Sequence, residues 1–86
     1  MIVKFTMHAK LRLKERDIAV EEVEKAVKNY DMIESDRFDP SVVHYIKKMD
    51  DKFLRVIAKR KNEKTLLVIS VFYNRRLKKK SGGKDD

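Results

Sequence analysis

Eighty-six residues with a formal net charge of +8 and a pI near 9.8 make one small basic domain, near the lower end of what a single core can stabilise. The lack of cysteine excludes disulfides, zinc–thiolate sites and thiol nucleophiles, and the longest uncharged apolar run, TLLVISVFY at 65–73, is too short to span a bilayer. Such a charge balance is expected of a protein that meets polyanions, so nucleic acid is the expected partner; with no membrane segment and no secretory signal opening the chain, a cytoplasmic location is expected.

Residues 2–5, IVKF, read as a short strand, and Thr6 can accept a hydrogen bond from a free amide at the start of a helix running from about Met7 to Arg16. In that helix His8, Arg12 and Arg16 fall at i, i+4 and i+8 on one face, where like charges repel by ~0.2–0.5 kcal/mol per pair. Two readings stand for this stripe: a solvated basic face with a histidine near one end, or an anion site in which two guanidiniums flank an imidazole. Asp17 ends the helix. Ala19 then takes the cap position of a second one, with Ile18 and Val23 as a hydrophobic staple, Glu21, Glu22 and Glu24 at the positive end of the dipole and Lys25 and Lys28 near the negative end. Val23, Ala26, Val27 and Tyr30 keep helical spacing and are expected to face the core.

After Asn29 the period changes. Met32 to Phe38, Val42 to Met49, Lys52 to Lys61 and Lys64 to Tyr73 are rich in β-branched and aromatic residues and are separated by short polar breaks. Connections this short join antiparallel neighbours, so the four runs predict a meander. The expected fold is therefore α+β: an N-terminal short strand and two helices packed on a four-stranded antiparallel sheet, as a single domain over residues 1–77. Residues 78–86 read as a flexible basic tail. From Arg75 onward six basic and two acidic residues supply half of the net charge.

Three groups of residues carry candidate chemistry. The first is the His8, Arg12, Arg16 stripe. In the second, strand alternation puts Arg55 and Lys59 on one sheet face, where a phosphate backbone could lie across them, with Arg60 on the same run and Arg37 and His44 on the earlier ones. His44, between Val43 and Tyr45, is read as a structural hydrogen-bonding residue. The third is FYNRRLKKK at 72–80, where Tyr73 and its aromatic neighbour precede Arg75, Arg76 and Lys78, a composition that can stack on bases and hold phosphates. The only glycines lie in the tail, so there is no glycine-rich phosphate loop. No metal-ligand spacing is present, and no cofactor is expected.

The segments F-T-x-H-A-x-x-R-x-x-x-R-x-I, E-E-V-E-x-A-V and V-I-S-V-F-Y-N-R-R resemble those of a family of small bacterial and archaeal proteins known as domain of unknown function 4258. Its members are similar in layout to RelE/ParE-type toxins. The resemblance covers nearly the whole chain to Arg76, and it picks out His8, Arg12, Arg16, Arg55, Tyr73, Arg75 and Arg76. It implies a toxin-like, metal-independent endoribonuclease acting on RNA phosphodiesters. In that expectation His8 is base or acid, Arg12, Arg16 and Arg55 are phosphate clamps, and Tyr73 is a stacking group or second acid. Lys59, Arg60, Arg75, Arg76 and Lys78 would bind the strand. The alternative is a module without catalysis that holds RNA, DNA or an acidic antitoxin-like protein.

Overall fold

The computed structural model describes residues 1–74. Its elements run β1 (Ile2–Phe5), α1 (Met7–Arg16), α2 (Val20–Lys28), β2 (Met32–Ser35), β3 (Val42–Met49), β4 (Lys52–Arg60) and β5 (Thr65–Asn74). No helix among them is long and apolar enough to cross a membrane.

Local chemistry sets the helix ends. The Thr6 hydroxyl accepts from the Ala9 amide at 3.0 Å, as an N-cap does. The same hydroxyl donates to the Ile69 carbonyl at 3.2 Å, and Ile69 is the extra residue of a β-bulge where β5 shifts register against β4. One threonine therefore caps α1 and satisfies a carbonyl that the bulge takes out of the ladder. At the other end Asp17 adopts φ 54°, ψ 49°, its amide donates to the Lys14 carbonyl, and the Ile18 amide donates to that of Leu13. This is a Schellman turn with aspartate in the left-handed position usually taken by glycine, and it drops Ile18 into the core beside Leu13. Ala19 caps α2 without a side-chain acceptor, while the Glu22 carboxylate accepts from the Ala19 amide at 3.1 Å.

The expectation of a four-stranded antiparallel sheet is corrected. The sheet has five strands in the order β1-β5-β4-β3-β2, and it is mixed. β2 to β5 do form the antiparallel meander, but β1 joins its edge, parallel to β5, with Ile2 opposite Thr65 and Phe5 opposite Val68. Without β1, the outer edge of β5 would leave a row of amides and carbonyls unpaired beside an apolar core. Short connections announce only sequential neighbours, which is why this long-range pairing was not anticipated. β2 is also shorter than the Met32–Phe38 run, because the Asp36 carboxylate captures the amides of Phe38 and Asp39, both at 3.1 Å, and turns the chain out of the sheet.

Both helices lie on one face. Ala9, Leu13, Val23, Ala26 and Val27 pack on Tyr45, Leu54, Val56, Ala58, Leu66, Val68 and Val71. Tyr30, expected in the core with them, lies beyond the end of α2 and is exposed, its ring 5.4 Å from that of Tyr45. The alternate residues of each strand face away from the helices, and no further layer of the described residues lies over them, although Ile46 and Val42 on that side are themselves buried. The boundary expected after residue 77 and the tail 78–86 lie outside those residues.

Asp17→Gly is expected to stabilise the fold by about 0.5–1 kcal/mol, since glycine removes the Cβ penalty of the left-handed turn. Thermal melting should show a rise of several degrees. A fall would mean that the Asp17 side chain stabilises α1 in a way its backbone role does not explain.

Candidate functional site

Strand alternation places Phe53, Arg55, Ile57 and Lys59 of β4 on the uncovered face. Arg55 sits at its centre, between Ile46 of β3 and Phe72 of β5, and its side chain is only 16% exposed. A guanidinium so shielded from water needs partners for its donors. Its Nε donates to Asn74 Oδ1 at 2.9 Å, and its Nη1 donates to Glu34 Oε1 at 3.2 Å and to His44 Nδ1 at 2.9 Å.

These contacts assign the roles of the two His44 nitrogens. Arginine has donors and no acceptor, so Nδ1 must be the accepting nitrogen, which leaves the proton on Nε2 to donate to Asp36 Oδ1 at 2.8 Å. With its nitrogens so paired, the imidazole has an orienting carboxylate on one nitrogen and a lone pair on the other. The Asp36 carboxyl lies below its ordinary value of 3.8, because the His44 hydrogen bond and then the Phe38 amide favour its charged form. Asp36, His44, Arg55, Glu34 and Asn74 form one chain of hydrogen bonds across four strands or their ends. The Glu34 link is the loosest, since that side chain is 55% exposed and makes an ion pair of a kind that contributes roughly 0–1 kcal/mol.

Around this chain the uncovered face carries the aromatics Phe53 and Phe72, both half-buried, and the cations Lys4, Lys48 and Lys59. Aromatic faces offer stacking to bases, and lysines offer unspecific contacts to phosphates. The arrangement can hold an anion at Arg55 and move a proton at His44 Nδ1. Among the described residues no three His, Cys, Asp or Glu side chains converge as a metal site would need.

The expected site residues are divided between the two faces of the sheet. Arg55 and Lys59 share the uncovered face. His8, Arg12 and Arg16 lie on α1, in the helical layer on the opposite side; His8 and Arg16 are exposed, and Arg12 pairs with Glu15 at 2.9 Å. Tyr73 points to the helical side, with the Lys52 ammonium 4.0 Å from its ring centroid. Burial, then the charges of Glu22 and Asp17, push its hydroxyl above 10.0. Arg60 is exposed on the helix-facing register of β4 and reaches the Glu63 carbonyl at 3.5 Å. Arg75, Arg76 and Lys78 lie outside the described residues. The structure thus brings His44, not His8, to Arg55. Glu34, Asp36 and Asn74 gave no sequence signal of their own: an acid in a short strand, an acid in a turn and an amide after an aromatic run are ordinary there.

Two helices over one face of a mixed five-stranded sheet, with an Asp–His–Arg chain on the other, define a class of small basic α+β protein with a polar site on an open sheet. The chain belongs to the family described as Domain of unknown function (DUF4258), whose profile matches residues 5–73. That span holds every member of the hydrogen-bonded chain except Asn74. No curated protein and no solved structure matches the chain.

A carboxyl held below its ordinary value in the folded state stabilises the fold above that value, and the contribution is lost as the pH falls through the lowered one. The melting temperature of the natural chain should therefore drop more steeply on acidification below roughly pH 5 than that of Asp36→Asn. Parallel curves from melts across pH would show that Asp36 is not the group responsible.

Proposed function

We propose that this protein is a metal-independent endoribonuclease, toxin-like in build, that takes single-stranded RNA across its open sheet face. The observation that carries the reading is His44 held between Asp36 and Arg55. A general base needs an accessible lone pair and a fixed orientation, and a carboxylate on the far nitrogen supplies the orientation while stabilising the imidazolium that forms. Arg55 supplies a planar fork of donors suited to a phosphate.

In the resting site Arg55 occupies the His44 lone pair. A phosphate that takes over the Arg55 donors displaces the exposed Glu34 carboxylate and frees Nδ1. His44 then removes the proton of the 2′-hydroxyl, the oxygen attacks the adjacent phosphorus, and the bond to the 5′-oxygen breaks. The products are a 2′,3′-cyclic phosphate and a 5′-hydroxyl that takes its proton from solvent, while Arg55 stabilises the charge on the pentacoordinate phosphorus. The nucleophile belongs to the RNA, so the chemistry asks for a base and a cation and nothing further. The resemblance to RelE/ParE-type toxins points to the same reaction class. RNA as substrate implies action in the cytoplasm.

A second reading attaches to α1. Met7, 83% exposed, and Leu11, 53% exposed, are one turn apart and are flanked by Lys10, Lys14 and Arg12. An apolar pair bordered by cations suits an acidic amphipathic helix such as an antitoxin-like partner would present. His8, Arg12 and Arg16 then serve partner binding, and the sheet face serves RNA.

In EDTA-containing buffer the protein should cleave single-stranded RNA to cyclic-phosphate ends. His44→Ala and Arg55→Ala should each lower the rate at least ~100-fold, the usual scale of proton-transfer catalysis. Glu34→Gln should raise RNA affinity severalfold by removing the internal competitor for Arg55. Cleavage lost in His8→Ala but kept in His44→Ala would move the chemistry to α1. No cleavage by any form, with RNA binding retained, would leave a binding module.

A further inference from the structure

Phe38 is the most exposed large apolar side chain among the described residues, at 90%, although the loop it stands in is tied by several hydrogen bonds. Between β2 and β3 the Asp36 carboxylate accepts from the Phe38 and Asp39 amides, and the Asp39 carboxylate accepts from the Ser41 amide at 3.0 Å and hydroxyl at 2.6 Å. The Asp36 amide donates to the Val42 carbonyl and the Val42 amide to that of Asp39, both at 3.0 Å, and Pro40 restricts the remaining backbone. This loop holds an aromatic ring in water with little freedom to hide it. Leaving a phenylalanine in water forgoes the stabilisation of burying it, so packing does not account for this position.

The loop is also joined to the site. One oxygen of Asp36 accepts from His44 and the other from the Phe38 amide, so the width of a single carboxylate separates the imidazole from the backbone of Phe38. We infer that Phe38 is a base-stacking residue that seats an unpaired nucleobase beside the phosphate held at Arg55, with the exposed Arg37 next to it meeting the backbone. The inference rests on the reading of the open face as an RNA site and assigns that site its specificity for unpaired strands. A ring held in place before binding gives up little conformational freedom when a base stacks on it. Stacking accepts every base, since each has a π-face, but it requires the base to be out of a duplex. Asp36 thereby orients the proton-transfer group with one oxygen and fixes the base platform with the other.

The test uses a fluorescently labelled 2′-O-methyl oligoribonucleotide, which cannot be cleaved by its own 2′-oxygen, and the same backbone with abasic positions. Anisotropy gives the affinity of the natural chain, Phe38→Ala, Phe38→Trp and Arg55→Ala for each. Phe38→Ala should weaken binding of the base-bearing strand about 5- to 150-fold, as loss of one stacked base does, and leave the abasic strand unaffected. Phe38→Trp should restore affinity, and its indole, the only one in a chain that lacks tryptophan, should be quenched on binding. If Arg55→Ala loses the base-bearing strand while Phe38→Ala keeps it, the stacking role is overturned and the open-face reading stands. Equal losses on both strands would also overturn it, since Phe38 would then act through the fold; its melting temperature, expected to match that of the natural chain, is the control. Failure of the natural chain to bind either strand would overturn the open-face reading and the stacking role together.

Discussion

Two short helices can cover one face of a five-stranded sheet and no more, and the rest of this molecule follows from that limit. The covered face is apolar and closed, with Leu54, Val56, Val68 and Val71 fully buried against the helices. The other face has to meet water with the same strands, so every second residue belongs to a different environment. β4 shows the division within six residues. Leu54, Val56 and Ala58 are core, while Phe53, Arg55 and Ile57 are half-buried on the open side. A face of this kind, partly apolar and partly charged, is not what a solvent-facing sheet needs, and it is suited to holding a ligand that is itself part aromatic and part anionic.

Within that face the position of Arg55 determines the rest. Its long side chain lies against the sheet instead of extending into water, which places the guanidinium where its charge and donors need matching. Glu34 matches the charge, Asn74 and His44 match the donors, and Asp36 matches the proton left on His44. In a network where each member has a partner, the Arg55 donor and the Asp36 acceptor set the roles of the two histidine nitrogens. Well-packed apolar residues would stabilise the same positions at least as well, so stability alone does not account for the network.

A comparable economy operates at the other end of the sheet. Thr6 ends β1, caps α1 and holds the bulge carbonyl of Ile69, and its amide donates to Val68 at 3.0 Å. The bulge shifts β5 by one residue against β4, which lets Val68 and Val71, an odd number of positions apart, both face the helices. Asp17 and Asp50 supply the two left-handed turns of the described residues, doing with aspartate what glycine does at less steric cost.

The elements themselves were legible in the sequence because each is a local pattern. Thr6 before a helical run, Ile18 and Val23 around Ala19, and alternation along β3 to β5 depend on neighbours within a few residues, and the structure has the corresponding helices and strands. Alternation also determined that Arg55 and Lys59 share a face. What the tertiary structure decided is which strands meet and which side chains touch. β1 and β5 are some sixty residues apart, and nothing in IVKF states that it pairs parallel to the last strand. The sequence places His8 on a basic helix and His44 between two apolar strand residues; only the strand order shows that it is His44 that lies against Arg55. Asp36 reads as a turn residue, and it is one, but its second oxygen finds His44 only because β2 and β3 fold back on each other. A hydrogen bond acts over about three ångströms and pays no regard to sequence distance, so a site assembled from four strands becomes visible only once those strands are side by side.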